Sequence, residues 1–390
     1  MSEPIVRIAA RGDGVTASGR HAALAAPGDL LHEDATLTPG PMHQAPPCRH
    51  FPQCGGCQLQ HVADAAYRLY LRDRVASALA QHGLETEVRE PHLSPPNSRR
   101  RATLRAMRLR KGVAIGFNEE RSHRIVDIRE CHILRPELFA LVAPLRRLLG
   151  ELAGGDRISE VRLTLCDQGV DLALSKVAVK SLAAAEALTG FAERHRLARL
   201  SLDEGFGAEI RYEPVPATVT LSGVPVPLPP GAFLQATEDG EAALVEAVRE
   251  GTGGARRVAD LFAGLGTFAL SLGQLVYAAE AWQAAVVALR AARPDMATEH
   301  RDLYRRPLSA DELGRFEAVV LDPPRAGAAE QVRELAGSAV PRVAYVSCNP
   351  ATFARDARTL VDGGFRLNWV QPVGQFRWST HVELAAAFAR

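Results

Sequence analysis

The side chain best placed for chemistry is Cys348, in Ser347-Cys348-Asn349-Pro350. Residues 343–346 are a short apolar run of strand composition, and residues 351–361 read as a helix with Asn349 as N-cap and Pro350 at its first position. A thiol between a strand's carboxyl end and a helix's amino end feels partial positive charge, which favours the nucleophilic thiolate. Taken alone, such a cysteine reads more readily as a buried structural residue. Two carboxylates change that balance. Asp322 closes an apolar run at 317–321 and is followed by Pro323-Pro324-Arg325, prolines that fix the turn and aim the acid. Glu383, in Thr380-His381-Val382-Glu383, opens the apolar strand 384–388 and is either a half-exposed strand end or a general base with a tuned pKa. By the two-residue period of a strand, His381 would share its face.

Two further constellations point to bound groups. Asp260-Leu261-Phe262-Ala263-Gly264-Leu265-Gly266-Thr267 is a strand running into a glycine loop and a helix, and Glu280 closes the next strand, near 276–279. Glycines there let a nucleotide-like ligand approach the backbone, and a carboxylate ending the second strand binds ribose hydroxyls. With no third glycine and an acid ahead of the loop, S-adenosylmethionine fits better than a dinucleotide. The second constellation is Cys48-x5-Cys54-Gly55-Gly56-Cys57, three thiols in ten residues, with Cys131 as the best fourth ligand. Zinc takes such sets, and His50 or His61 could substitute for a thiolate; an all-cysteine set of three plus a distant fourth suits a [4Fe–4S] cluster. Cys166, inside an apolar run, reads as core.

The rest of the chain must position these groups. Its 390 residues, 47% hydrophobic, suffice for two or three domains. Basic and acidic residues number 46 and 45, so an RNA surface would have to be a local patch. The densest is 99–111, seven basic residues in a strand pair whose second strand is 113–117. No stretch has the length and apolarity of a membrane span, the N-terminus carries no apolar leader pattern, and six cysteines are too few for a disulfide scaffold. A cytoplasmic monomer is expected. Residues 1–40 read as a short β-rich segment, a reduced TRAM/OB-like module that precedes a proline-rich linker. Residues 41–230 read as an α+β central domain with a helix over 64–81. Residues 231–390 alternate strand and helix as a parallel α/β sheet of the Rossmann-like kind.

Taken in order, the cysteines 48, 54, 57 and 131, Phe233-Leu234-Gln235, the Asp260 loop, Asp322-Pro-Pro-Arg-Ala-Gly327, Ser347-Cys-Asn-Pro350 and His381-Val-Glu383 resemble the bacterial RNA uracil-5-methyltransferases from about Cys48 to the end. The resemblance implies a C-terminal S-adenosylmethionine-dependent methyltransferase domain, with Cys348 as nucleophile and Glu383 as base. It implies Gln235, Phe262, Gly264, Gly266, Thr267, Glu280, Asp302 and Asp322 around the methyl donor, and Cys48, Cys54, Cys57 and Cys131 as ligands of a [4Fe–4S] cluster. RNA is the implied partner, and the Asp322 and Cys348 motifs, the latter running on to Ala354-Arg355-Asp356, look closer to the ribosomal members than to the transfer-RNA ones. Thr267 and Thr237 stand where relatives often carry asparagine, the segment after Glu280 lacks the usual Asn-Ala, and the N-terminal segment is short. Cytosine-5 and adenine-amino methylation fit less well, the first for want of a cysteine in the Asp322 motif. A non-catalytic metal-binding RNA module would not require Cys348 and Glu383.

Overall fold

A computed structural model describes residues 2–120, 122–152, 158–273 and 275–390. By internal contacts the chain forms two units, each discontinuous in sequence. One comprises Met1–Ala45, Leu59–Ser94 and Asp239–Arg390; the other comprises Pro46–Gln58 and Pro95–Glu238. No helix among the described residues is long and apolar enough to cross a membrane.

The first unit is built on a nine-stranded sheet. Its order runs Ala297–His300, Leu275–Glu280, Arg257–Leu261, Ala318–Leu321, Arg342–Ser347, Glu383–Ala389, Arg366–Gly374 and Glu87–Val88, with His92–Leu93 also pairing on Arg366–Gly374. The first five strands are parallel, and Glu383–Ala389 inserts antiparallel between Arg342–Ser347 and Arg366–Gly374. Chain order reverses between Arg257–Leu261 and Ala318–Leu321, the switch point where open α/β sheets bind ligands outside the strands' carboxyl ends. The strands are continuous apolar runs because both faces are covered. Val319, Leu321, Val343 and Tyr345 enter one core with Phe353, Ala357 and Leu360 of the helix Pro350–Asp362, while Ala318, Val320, Ala344 and Val346 alternate into another with Leu244 and Val248 of the helix Glu238–Thr252. Each fully buried Val, Leu or Phe side chain among these stabilises the fold by about 1.5–3 kcal/mol.

The helix Asp64–Gln81 has the limits its apolar period predicts and buries Tyr67, Tyr70, Leu71, Val75 and Leu79. It belongs to the first core, and Tyr67 Oη donates to the carbonyls of Ser379 (2.8 Å) and Phe376 (3.2 Å), fixing the segment that leads into Glu383. Met1–Ala45 adds five short strands, Glu3–Ile8, Gly14–Thr16, His21–Ala22, Leu30–Leu31 and Leu37–Thr38, with a small core of Ile5, Ala22, Ala25 and Leu31. So small a core cannot sustain a domain alone, and Ile8 and Ala26 join the main core instead. At the glycine loop the expected helix does not form: after Leu261 the chain makes turns and one 3₁₀ turn, Ala269–Ser271, whose Ala269 N–H is held by the Asp260 carboxylate at 2.8 Å.

The second unit is a six-stranded sheet ordered Ala208–Tyr212, Arg199–Asp203, Gly169–Ser175, Ser159–Cys166, Arg101–Arg108 and Val113–Gly116. Helices Pro136–Ala140, Val142–Leu152 and Leu182–Arg194 accompany it, together with a hairpin of Thr218–Leu221 and Val224–Pro227. Arg199, 2% exposed, is paired inside this unit with Asp171 through Nε (2.9 Å) and Nη2 (2.8 Å) and also donates to the Leu228 carbonyl at 2.6 Å.

Candidate active site

Cys348 follows the strand Arg342–Ser347 as expected, and Asn349 caps the next helix by accepting from Ala351 N–H at 3.2 Å. Ser347 pairs with Leu384 across the antiparallel strands, so the register continued by one residue sets Cys348 opposite Glu383. Glu383 is 8% exposed. Asp322, which keeps a partly solvent-accessible edge but has its carboxyl deep among protein atoms, follows Leu321 on the adjacent parallel strand. The thiol therefore feels Glu383, Asp322 and Arg325 together.

Electrostatically the thiol differs from the expectation. Burial first, then the negative charges of Glu383 and Asp322, push Cys348 up to about 11, outweighing Arg325 and the local backbone hydrogen bond, which pull the other way. A helix N-terminus acts within one turn and is worth about 0.3–1 kcal/mol, too little against burial beside two carboxylates. Asp322 is itself raised well above the carboxylate range by burial, then by Glu383, Asp260 and Glu280. Asp260, fully buried, is raised to about 7 by burial and the charge of Glu280. Four acids thus converge at the carboxyl edge of the sheet.

The expected methyl-donor residues of this unit line the same edge. Glu280 uses both oxygens as a clamp: Oε2 accepts from Gly264 N–H (2.9 Å) and Oε1 from Trp282 N–H (2.7 Å), which fixes both loops flanking the switch point. Phe262 is held in the left-handed region (φ 65°) with its N–H and that of Ala263 both donating to Ala279 O, and its ring lies 5.5 Å from Tyr304. Gly266 (φ 89°) admits no side chain, since a Cβ would come 2.6 Å from Leu289. Thr267 is half-buried in the same turn, and Asp302 accepts from Tyr304 N–H at 3.0 Å. Gln235 lies in the second unit, 3% exposed, with its carbonyl accepting from Arg100 Nε at 3.1 Å. His381 is not on Glu383's strand face: the strand begins at Glu383, and His381 is exposed in the preceding loop beside Phe376. Tyr304 and Trp282, which carry no motif, were not foreseen; only their aromatic character beside motif residues signals them.

In the second unit the cysteine loop is drawn to the Cys131 segment. Arg49 donates to Glu130 through its backbone N–H (2.7 Å) and its Nε (2.9 Å), and Arg129 N–H donates to His50 Nε2 at 2.8 Å. Cys54 is pushed up to about 11 by burial and by the charges of Cys131 and Cys48, and Arg99 feels both Cys57 and Cys131. Gly55 and Gly56 leave no room for side chains: their Cβ atoms would lie 2.6 Å from Asn118 O and 3.1 Å from the Phe117 ring. Among the described residues no three His, Cys, Asp or Glu side chains close around a single-ion site. His61 belongs to the first unit, its ring 5.5 Å from His43, and His50 accepts the Arg129 backbone N–H at Nε2. The basic strand is only partly a surface patch. Arg99 lies among the cysteines, Arg100 is 3% exposed, Arg105 pairs with Glu160 and Arg108 with the Gly150 carbonyl, while Arg101 lies over Phe233. Arg110 and Lys111 are exposed at the hairpin tip.

The strand order and the acids at its switch point are those of an open α/β sheet that takes a nucleotide-like ligand at its carboxyl edge, as S-adenosylmethionine-dependent methyltransferases do. Comparison with known proteins agrees. A family model described as tRNA (Uracil-5-)-methyltransferase matches residues 297–390. An uncharacterized RNA methyltransferase of Zymomonas mobilis is 49% identical over 99% of both chains, and the 23S rRNA (uracil(1939)-C(5))-methyltransferase RlmD of Thiobacillus denitrificans is 33% identical over 91% of this chain and 88% of its own. The solved tRNA (uracil-54, C5)-methyltransferase of Pyrococcus abyssi, in complex with S-adenosyl-L-homocysteine, shares the fold with a TM-score of 0.77 at 23% identity, covering 100% of this chain and 99% of that one. The chain belongs to the RNA (uracil-5-)-methyltransferase family, and it is an S-adenosylmethionine-dependent RNA methyltransferase.

Proposed function

We propose that the enzyme methylates C5 of a uridine in large-subunit ribosomal RNA through a covalent adduct. The observation that carries this reading is the meeting of Cys348, Glu383, Asp322 and Arg325 at one sheet edge. Uracil C5 is a weak nucleophile; addition of the Cys348 thiolate to C6 turns it into an enolate carbon. S-adenosylmethionine supplies an electrophilic methyl group, which C5 takes as S-adenosylhomocysteine leaves. Glu383 then removes the C5 proton, the C5–C6 double bond re-forms, and the C6–S bond breaks to return the thiolate. The ribosomal target is supported by the likeness to RlmD; the family description and the Pyrococcus structure, both naming tRNA, favour the second reading, a transfer-RNA uridine. The enzyme acts as a cytoplasmic monomer in this reading. Cys48, Cys54, Cys57 and Cys131 hold a [4Fe–4S] cluster in this reading: Cys54 feels Cys48 and Cys131, Cys57 and Cys131 both act on Arg99, and an all-cysteine set of three plus a distant fourth suits such a cluster. The cluster has no step in the methylation and supports the fold of the second unit.

Two experiments test this. Mapping 5-methyluridine in all stable RNAs of a strain lacking the enzyme identifies the substrate: loss from 23S rRNA is expected, and loss only from tRNA selects the second reading. Glu383→Gln keeps the shape but cannot accept the C5 proton, so RNA should remain attached through Cys348 to a methylated base, a slow band on a denaturing gel that carries label from the methyl donor. Cys348→Ala in the same background should abolish the band. Release of free methylated RNA by Glu383→Gln at near the original rate would remove Glu383 from the role of base.

A further inference from the structure

The helix after Cys348 turns a row of side chains toward the loop after Asp322. Asn349 Nδ2 (3.2 Å) and Thr352 Oγ1 (3.1 Å) donate to Arg325 O, and Arg355 Nη2 donates to Ala326 O at 3.0 Å. Asp356, 1% exposed, accepts from Ala328 N–H and Tyr345 O–H, both at 2.7 Å, and from Arg355 Nε (2.9 Å) and Nη2 (2.7 Å). Tyr345 lies on the strand that ends at Ser347. One carboxylate thus joins the nucleophile's strand, its helix and the loop of Asp322 and Arg325. Gly327 has no Cβ because one would fall 2.5 Å from Asp356 Oδ2 and 2.6 Å from Arg355 Nη2, and its φ of 81° suits glycine alone. This accounts physically for two motif ends that the proposed chemistry leaves unused.

We propose that Asp356 is a positioning residue that keeps residues 322–328 in register with the Cys348 turn, with Thr352 holding the carbonyl of Arg325. The assignment rests on the reading of Cys348 as nucleophile. Four hydrogen bonds to one buried carboxylate leave it a single orientation, and two of them come from residues off the helix, Ala328 and Tyr345. Arg325 is the positive group that favours the Cys348 thiolate against Glu383 and Asp322, so a loop that slips moves it from the thiol.

The test uses intact, anaerobically purified protein carrying Asp356→Asn, Thr352→Val or Thr352→Ser. The rate of iodoacetamide labelling at Cys348, resolved by peptide mass spectrometry, is measured against pH together with kcat and KM for the methyl donor. Asp356→Asn should lower kcat about tenfold or more with KM for the donor within about twofold, and slow labelling about threefold at alkaline pH. Thr352→Val, at a half-buried position outside the core, should slow labelling in the same direction, and Thr352→Ser should restore it. Unchanged labelling in folded Asp356→Asn and Thr352→Val overturns the proposal, as does a kcat loss that only tracks loss of folded protein. Labelling does not require Cys348 to attack RNA, so an active Cys348→Ala enzyme would refute the chemistry without deciding this point.

Discussion

Replacing Asp260 with asparagine should remove a pH-dependent destabilisation that the methyl-donor crevice imposes on the fold. Asp260 is wholly buried; its Oδ2 accepts from Ala269 N–H at 2.8 Å, while Oδ1 has no hydrogen-bond partner among the described residues. Burial and then the charge of Glu280 raise it from 3.8 to about 7. With the folded pKa above the unfolded one, the folded state holds the proton longer. The associated stability is full below about pH 4 and is lost as pH rises through about 7. Three units at about 1.36 kcal/mol each make the loss about 4 kcal/mol. Asparagine cannot ionise, yet its carbonyl still accepts from Ala269 N–H. Unfolding free energies from urea titrations without methyl donor, between about pH 4.5 and 8.5, should therefore diverge by about 3 kcal/mol in favour of Asp260→Asn as pH rises, part of the loss having occurred below about pH 4.5. Relief of Asp322, which feels Asp260, contributes to the same divergence. A difference that stays constant with pH, or that favours the original enzyme at alkaline pH, would refute the reasoning.

Anaerobically purified protein should be brown and hold about four irons and four sulfides per chain, and Cys131→Ser should lose them; stoichiometric zinc without iron would assign the cysteines otherwise. Asp171→Ala should cost the protein about 3–5 kcal/mol in chemical denaturation, because it leaves the buried Arg199 guanidinium without its bidentate partner; a loss below about 1 kcal/mol would mean that Leu228 O and Glu213 suffice. Joint replacement of Arg108, Arg110 and Lys111 by alanine should flatten the salt dependence of RNA binding by about two to three units of slope, whereas Arg100→Ala, whose side chain donates to Gln235 O, should lower stability instead. An unchanged slope would make the hairpin tip an ordinary solvated surface.

What the sequence made legible is local. The helix Asp64–Gln81, the cap at Asn349 and the strands ending at Leu321 and Ser347 each depend on period, capping and turn residues within a few positions. What it concealed depends on distant partners. That Leu59–Ser94 joins the methyltransferase unit follows from the packing of Tyr67 and Leu71 against residues some three hundred positions away, for which no local pattern exists. Arg99 and Arg105 read as phosphate contacts because their charges are visible in the chain; the cysteines and Glu160 that occupy them are not adjacent in sequence. The helix expected after Gly266 failed because Asp260 satisfies Ala269 N–H and a 3₁₀ turn closes the loop.

The raised thiol is the feature most at odds with a local reading, and it bears on the proposed chemistry. At about 11, Cys348 is almost wholly protonated at neutral pH, with roughly one molecule in ten thousand as thiolate, a cost of about 5 kcal/mol. Glu383 and Asp322 supply part of that cost through their charges. The same two carboxyl groups are the ones that lie nearest the thiol. In the proposed mechanism Glu383 becomes neutral on accepting the C5 proton, which removes one of the charges opposing the thiolate and makes Cys348 a better leaving group from C6. On that proposal the charge of Glu383 opposes the thiolate before addition, and its loss on accepting the C5 proton favours expulsion of the thiolate from the product.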